Sequence, residues 1–184
     1  FDPETGVILG AQIVGTEGVD KRIDDLANAV RFKLTGLDLQ EMELAYAPPF
    51  SSAKDPVNMA GYVIENMMEG LMKPFYLEDL ENLPADAQKV DVRTEGEYAK
   101  GTIPGFINIP LDSLRERLDE LDLTKKIYIT CQIGLRGYLA QRILAQHGAD
   151  TENLAGGYRL YEMMEKDKKD MAAVAGKCAA CGME

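Results

Sequence analysis

The chain has 184 residues, with 20 basic and 31 acidic side chains and a formal net charge of −11. This acidity argues against a nucleic-acid partner, because a phosphate backbone is bound by clustered Lys and Arg. The sequence contains no run of about 18 apolar residues, so it predicts no membrane-spanning helix. Three cysteines are too few for a disulfide scaffold, which favours a cytoplasmic location. The chain begins without Met, inside an apparent hairpin turn, and we expect it to belong to a longer protein.

The first block, residues 1–68, is predicted to be a small, partial α+β domain. A β-rich run covers 7–15, and apolar residues then recur at helical spacing over 23–34, where Gly36 is expected to end the helix. A second helix is predicted after Pro56, because proline is favoured in the first turn of a helix. A block of this size is expected to need a partner to bury its apolar residues.

The second block, residues 75–166, follows a linker at 69–74 and alternates strand and helix patterns. This alternation predicts a mainly parallel α/β sheet with helices on both faces. The predicted strands cover 89–93, 106–109, 126–130 and 151–155, and the predicted helical stripes are Leu114, Leu118 and Leu121, and Leu135, Leu139, Ile143 and Leu144.

Cys131 follows a predicted strand directly and precedes a predicted helix, at the edge of a parallel sheet where ligands bind. The short loop Gln132-Ile133-Gly134-Leu135 can curl so that its backbone N–H groups form an anion-binding nest, which would favour a thiolate or a terminal persulfide sulfur. Arg136 closes the loop and is expected to present positive charge to substrates. The Cys-x4-Arg spacing is one residue shorter than that of cysteine phosphatases and suits a single added sulfur atom. The alternative is a buried, inert cysteine.

Four motifs follow one another in the second block: Asp91-Val92-Arg93, Gly101-Thr102-Ile103-Pro104-Gly105-Phe106-Ile107-Asn108-Ile109-Pro110, Cys131 to Gly137, and Leu154-Ala155-Gly156-Gly157. In order and spacing they resemble a single rhodanese domain. The resemblance implies that Cys131 carries a persulfide. It also implies that the backbone of the next six residues cradles this sulfur, namely Gln132, Ile133, Gly134, Leu135, Arg136 and Gly137.

Two positions depart from the rhodanese pattern. Thr102 replaces the usual His, which puts a structural hydrogen bond in question, and Gly137 stands where Ser or Ala is frequent, which suggests a more open outer wall for the loop. Asp91 and Arg93 are expected to have a structural role as charged groups at the end of a strand, with Glu97 as the ion-pair partner of Arg93.

The first block carries Gly6-Val7-Ile8-Leu9-Gly10 and Tyr46-Ala47-Pro48-Pro49-Phe50-Ser51. These runs resemble the dimerisation domain of flavin-dependent pyridine nucleotide–disulfide reductases, in the branch of coenzyme A disulfide reductases. The resemblance implies a homodimer in which Tyr46 is catalytic, reaching toward the partner's redox cysteine; packing of its ring at the interface is the alternative. FAD, NAD(P)H and CoA are implied for a longer parent protein. No cofactor or metal is expected for this chain alone.

The remaining residues of chemical interest are less specific. Cys178 and Cys181 form one Cys-x2-Cys pair, which is half of a zinc site. Residues 167–184 are read as a tail, whose last residues, Ala180-Cys181-Gly182-Met183-Glu184, resemble the opening of a small sulfur-carrier domain. An unstructured tail is the alternative. His147, the only histidine, is expected to cap the end of a helix.

The sequence therefore predicts a sulfurtransferase that holds sulfane sulfur on Cys131. The expected partners are thiosulfate, polysulfide or CoA persulfide and an acceptor thiol. A rhodanese-fold module that only binds or regulates a partner is one alternative, although the presence of Cys131 argues against it. A phosphatase-like or arsenate-reductase-like enzyme is another, and the spacing to Arg136 argues against that.

Overall fold

The computed structural model describes the backbone of residues 1–180 and the side chains of residues 1–172. The chain divides into two compact units, Phe1–Met72 and Lys73–Glu184. In the described part, none of the helices is both long and apolar enough to span a bilayer. Each unit has a hydrophobic core made of its own residues, so each is described by itself.

The first unit is built from three helices around a small core. Asp55 caps the third helix by accepting a hydrogen bond from the Val57 N–H, and Pro56 occupies its first turn. Asn58 is buried and donates to the carbonyls of Leu39 and Met42, so it ties the second helix to the third. The helices are α1 (Val19–Phe32), α2 (Gly36–Glu41) and α3 (Pro56–Met68).

Two predictions for this unit were wrong. The run 7–15 does not form a strand: Val7 makes one isolated antiparallel bridge to Thr35, and Val14 is 91% exposed. A strand forms only where a neighbouring strand satisfies its backbone groups. Gly36 does not end α1 but begins α2, because Thr35 provides the N-cap. A side chain at position 36 would collide with Ile64 of α3, so glycine permits close packing.

The elements of the second unit are β1 (Pro74–Phe75), β2 (Gln88–Asp91), α4 (Glu95–Tyr98), β3 (Ile107–Asn108), β4 (Ile127–Thr130), α5 (Leu135–Gln146), β5 (Thr151–Leu154) and α6 (Gly157–Ala180). The five strands form a parallel sheet in the order β1-β5-β4-β2-β3. One core cluster includes Ile129 and Leu144 and lies with α5, while a second includes Phe75 and Leu154 and lies with α6. The predicted α/β sheet covered on both faces is therefore confirmed.

The two predicted leucine stripes differ from the structure. The first lies on two 3₁₀ helices, Leu111–Glu116 and Leu118–Glu120, rather than on an α-helix, since Arg117 leaves helical geometry between them. In the second, Leu135 and Leu139 are exposed. The buried face of α5 instead includes the small residues Gly137 and Ala140, which let the helix approach the sheet closely.

The last helix continues to Ala180, so residues 167–180 extend α6 and do not form an unstructured tail. The alternative of a sulfur-carrier segment stays a prediction. The side chain of Cys178 and the whole of Cys181 lie outside the described residues. His147 follows α5 directly, and its Nδ1 is 2.9 Å from the Ile143 carbonyl oxygen, which confirms the expected capping position.

Candidate active site

Cys131 lies at the carboxyl end of the central strand β4, between β2 and β5, and is only 1% exposed. Its Sγ accepts a hydrogen bond from the Gly134 N–H at 3.1 Å. Gly134 makes this turn with φ of 125°, a conformation that residues with a side chain rarely adopt. The helix α5 begins at the next residue, so the sulfur lies beside a helix N-terminus, where negative charge is favoured.

The N-terminus of α6 holds the first half of the loop. The Tyr158 N–H donates to the Cys131 carbonyl at 2.8 Å, and the Arg159 N–H donates to the Gln132 carbonyl at 3.0 Å. In a trans peptide the N–H points opposite to the C=O. The hydrogen bonds from α6 to these two carbonyls therefore point the N–H groups of Gln132 and Ile133 away from α6.

The backbone geometry explains why glycine occupies both positions of the Gly156-Gly157 pair. Gly157 has φ of 60°, and a Cβ at this position would lie 2.5 Å from the Cys131 carbonyl oxygen. Gly156 also has positive φ, 77°. Only glycine satisfies both the left-handed conformation and the close approach to the loop.

Asn153 of β5 holds the second half of the loop. Its Nδ2 donates to the Gly134 carbonyl at 3.0 Å, and its Oδ1 is buried and has no hydrogen-bond partner in the structure. The prediction that Gly137 leaves an open wall was wrong, because the Asn153 amide fills the space that a side chain at 137 would need. The sequence analysis did not identify Asn153. Its position as a polar residue within the predicted strand 151–155 was the signal that could have found it.

The side chain of Arg136 is held by Glu97 rather than directed to solvent. Its two terminal nitrogens donate to the Glu97 oxygens at 2.7 and 2.8 Å. Glu97 also accepts from the N–H and hydroxyl of Thr94, in the capping box of α4. The hydrogen bond from Arg136 is the main reason that the pKa of Glu97 is lowered to about 2, so this carboxylate is ionised at neutral pH.

Arg93 pairs with Asp91 and not, as predicted, with Glu97. The two are completely buried and joined at 2.7 Å, and Arg93 also donates to the Gly101 carbonyl. The guanidinium lies 3.8 Å from the centre of the Tyr158 ring. The Thr102 hydroxyl donates to Asp91 at 3.3 Å, so threonine supplies a hydrogen bond where histidine is usual. Arg93 thus connects β2, the turn after α4 that contains Gly101, and α6.

The outer surface of the loop is apolar. Ile133 is 62% exposed and Leu135 is 63% exposed.

Among the described side chains, no group of three or more His, Cys, Asp or Glu is placed to hold a metal ion. Tyr46, in the first unit, is 51% exposed.

These features define a parallel α/β domain with a cysteine held in a loop of backbone amides. Residues 76–164 match the family model of the rhodanese-like domain. The chain therefore carries a member of the rhodanese-like family in its second unit.

Longer relatives extend this likeness beyond residues 76–164. A coenzyme A disulfide reductase of Staphylococcus aureus (strain bovine RF122 / ET3-1) is 53% identical over 62 residues, which are 34% of this chain and 14% of the relative. The crystal structure of reduced Bacillus anthracis CoADR-RHD matches with a TM-score of 0.84 at 48% identity, over 88% of this chain and 29% of that one.

The structure of an NAD-dependent persulfide reductase from A. fulgidus matches with a TM-score of 0.69 at 38% identity, over 79% of this chain and 26% of that one. The chain thus spans less than a third of each of these relatives. The predicted resemblance to a coenzyme A disulfide reductase fused to a rhodanese domain is confirmed.

Proposed function

We propose that the second unit is a sulfurtransferase that carries sulfane sulfur as a persulfide on Cys131. The observation that carries this proposal is the 3.1 Å hydrogen bond from the Gly134 N–H to the Cys131 sulfur. In the same loop, the carbonyls of Cys131, Gln132 and Gly134 are bound by other donors. Such an arrangement stabilises negative charge on sulfur without a histidine. The family of residues 76–164 supports the same chemistry.

The reaction follows a ping-pong sequence. The thiolate of Cys131 attacks the outer sulfur of a donor, the donor S–S bond breaks, and the remainder leaves as a thiol or as sulfite. An acceptor thiolate then attacks the outer sulfur of the Cys131 persulfide and regenerates the Cys131 thiolate. Sulfur moves from donor to acceptor, and no outside oxidant or reductant is needed. Thiosulfate, polysulfide and CoA persulfide are the proposed donors.

A larger reaction is proposed for a longer parent protein that contains this chain. In it, the first unit, over about residues 1–68, forms a homodimer, and residues 75–166 act as the rhodanese domain of a cytoplasmic CoA-disulfide or persulfide reductase dependent on FAD and NAD(P)H. The names of the relatives support this proposal. Tyr46 would then serve the flavin site by donating a hydrogen bond to a leaving thiolate.

The proposal is tested by mass spectrometry after treatment with thiosulfate, polysulfide or CoA persulfide. We expect the Cys131 peptide to gain one sulfur atom that cyanide removes, and we expect Cys131→Ser to lack this gain. A Cys178→Ser/Cys181→Ser variant is the matched control and should keep it. If no donor loads Cys131, the persulfide mechanism fails and the partner-binding alternative takes its place.

A further inference from the structure

The charge at the opening of the loop is set by one ion pair. Arg136 is the only charged side chain between Cys131 and Gly137, and Glu97 binds it through two hydrogen bonds. The neighbouring loop side chains Ile133 and Leu135 are apolar and exposed. A bidentate arginine–carboxylate pair of this kind is geometrically specific and strong for its class.

Glu97 is itself fixed in place, so it restrains Arg136 rather than following it. The Thr94 N–H and hydroxyl bind the same carboxylate oxygen at 3.0 and 2.9 Å, as part of the N-cap of α4. With a pKa of about 2, Glu97 keeps its charge throughout the physiological range. The charge of Arg136 is therefore compensated throughout that range.

We infer that Glu97 is a specificity-determining residue, which holds Arg136 away from anionic sulfur donors and so lowers their reactivity at Cys131. This inference rests on the proposed function and deepens it. Thiosulfate is an anion that must approach the negatively charged Cys131 thiolate. An Arg136 guanidinium free of Glu97 would reduce this repulsion and so favour the reaction. A neutral donor would gain little from a free guanidinium.

The relevant step is the attack of the Cys131 thiolate on the outer sulfur of thiosulfate. A new S–S bond forms to Cys131, the S–S bond of thiosulfate breaks, and sulfite leaves with the bonding electron pair. Negative charge accumulates on sulfite as the bond breaks, so an arginine released from Glu97 would stabilise both the bound donor and the leaving group.

The test compares wild type with Glu97→Gln, in which the amide oxygen can still accept the Thr94 hydrogen bonds. The first readout is the rate of Cys131 alkylation by anionic iodoacetate divided by the rate with neutral iodoacetamide. We expect Glu97→Gln to raise this ratio about fivefold at low salt, the effect of one unit charge about 4 Å from an anion in water. The gain should shrink at high salt. Thiosulfate kcat/KM should rise in parallel.

Two further variants test whether the effect of Glu97→Gln depends on its position and on Arg136. Glu95→Gln removes the same charge from an exposed position on the same helix and should leave the ratio unchanged. In an Arg136→Gln background, the substitution Glu97→Gln still removes one negative charge but has no arginine to release, so it should raise the ratio clearly less than it does when Arg136 is present. An equal gain in the two backgrounds would overturn the inference.

Two other cations lie beside the loop. Arg93, whose Nη1 donates to the Gln132 Oε1 at 3.5 Å, is buried in its pair with Asp91. Arg159 has an exposed side chain, and its N–H binds the Gln132 carbonyl. If Arg159→Gln lowers the alkylation ratio while Glu97→Gln leaves it unchanged, Arg159 controls the access of anions and the inference is wrong. The alkylation ratio does not require sulfur transfer. An unchanged ratio therefore refutes the role of Glu97, whereas an absence of persulfide refutes only the proposed function.

Discussion

At the scale of single residues, Asn153 shows how one amide can orient a reactive loop. Its donor group binds the Gly134 carbonyl, which also receives the Tyr138 N–H at 2.9 Å. These two donors fix the peptide that links Gly134 to Leu135. The Asn153 Oδ1 is left buried without a partner. Because a buried polar atom without a hydrogen bond is costly, this amide does not maximise stability.

We therefore predict that Asn153→Leu slows alkylation of Cys131 by iodoacetamide several-fold at neutral pH. The free energy of unfolding should change by only about 1 kcal/mol, since one hydrogen bond and one unsatisfied oxygen are lost together. The matched control is Gln141→Leu, because Gln141 is also buried with an unpartnered Oε1 but donates to the Thr151 carbonyl, away from the loop. If both variants slow alkylation equally, Asn153 acts only through general packing.

At the scale of secondary-structure elements, the buried pair of Asp91 and Arg93 joins three parts of the second unit. Asp91 ends β2, Arg93 binds the Gly101 carbonyl in the following turn, and its guanidinium packs on Tyr158 of α6. Arg93 also donates to the Gln132 Oε1 at 3.5 Å. The pair therefore supports the Cys131 loop both directly and through α6.

We predict that Arg93→Met destabilises the second unit by about 3–5 kcal/mol, because it leaves the Asp91 carboxylate buried without its counter-ion. The control is Arg117→Met, which breaks the exposed pair with Glu120 and should cost far less, because water and salt screen an exposed ion pair. Urea denaturation measures both. Comparable costs for the two variants would contradict a special role for the buried pair.

The same elements show which features could be predicted from the sequence. The parallel sheet and the position of Cys131 at a strand end follow from local patterns, in which short apolar runs alternate with helical spacing. The partner of Arg93 was predicted wrongly, and that of Arg136 was missed. Glu97 is 39 positions from Arg136, and nothing in local periodicity distinguishes it from other nearby acids. Such pairings are decided by how β2, α4 and α5 come together.

At the scale of the whole molecule, the parts that build the candidate site belong to one unit. The loop and its supports come from β2, α4, β4, β5 and the helices α5 and α6, all after Lys73. Two hydrophobic clusters cover the sheet, whereas a third, which includes Ala29 and Leu39, belongs to the first unit. A domain with its own core can in principle fold alone.

We accordingly predict that a chain beginning at Lys73 unfolds cooperatively in urea and alkylates at Cys131 at the rate of the full chain, within about twofold. The physical reason is that the hydrogen bonds described around the Cys131 loop come from donors after Lys73. Circular dichroism during denaturation and the iodoacetamide rate are the two measurements, and Cys131→Ser in the shortened chain controls for reaction at other thiols. A shortened chain that unfolds cooperatively but reacts much more slowly would mean that the first unit contributes to the site. One that fails to unfold cooperatively would mean that the second unit needs the first for its stability.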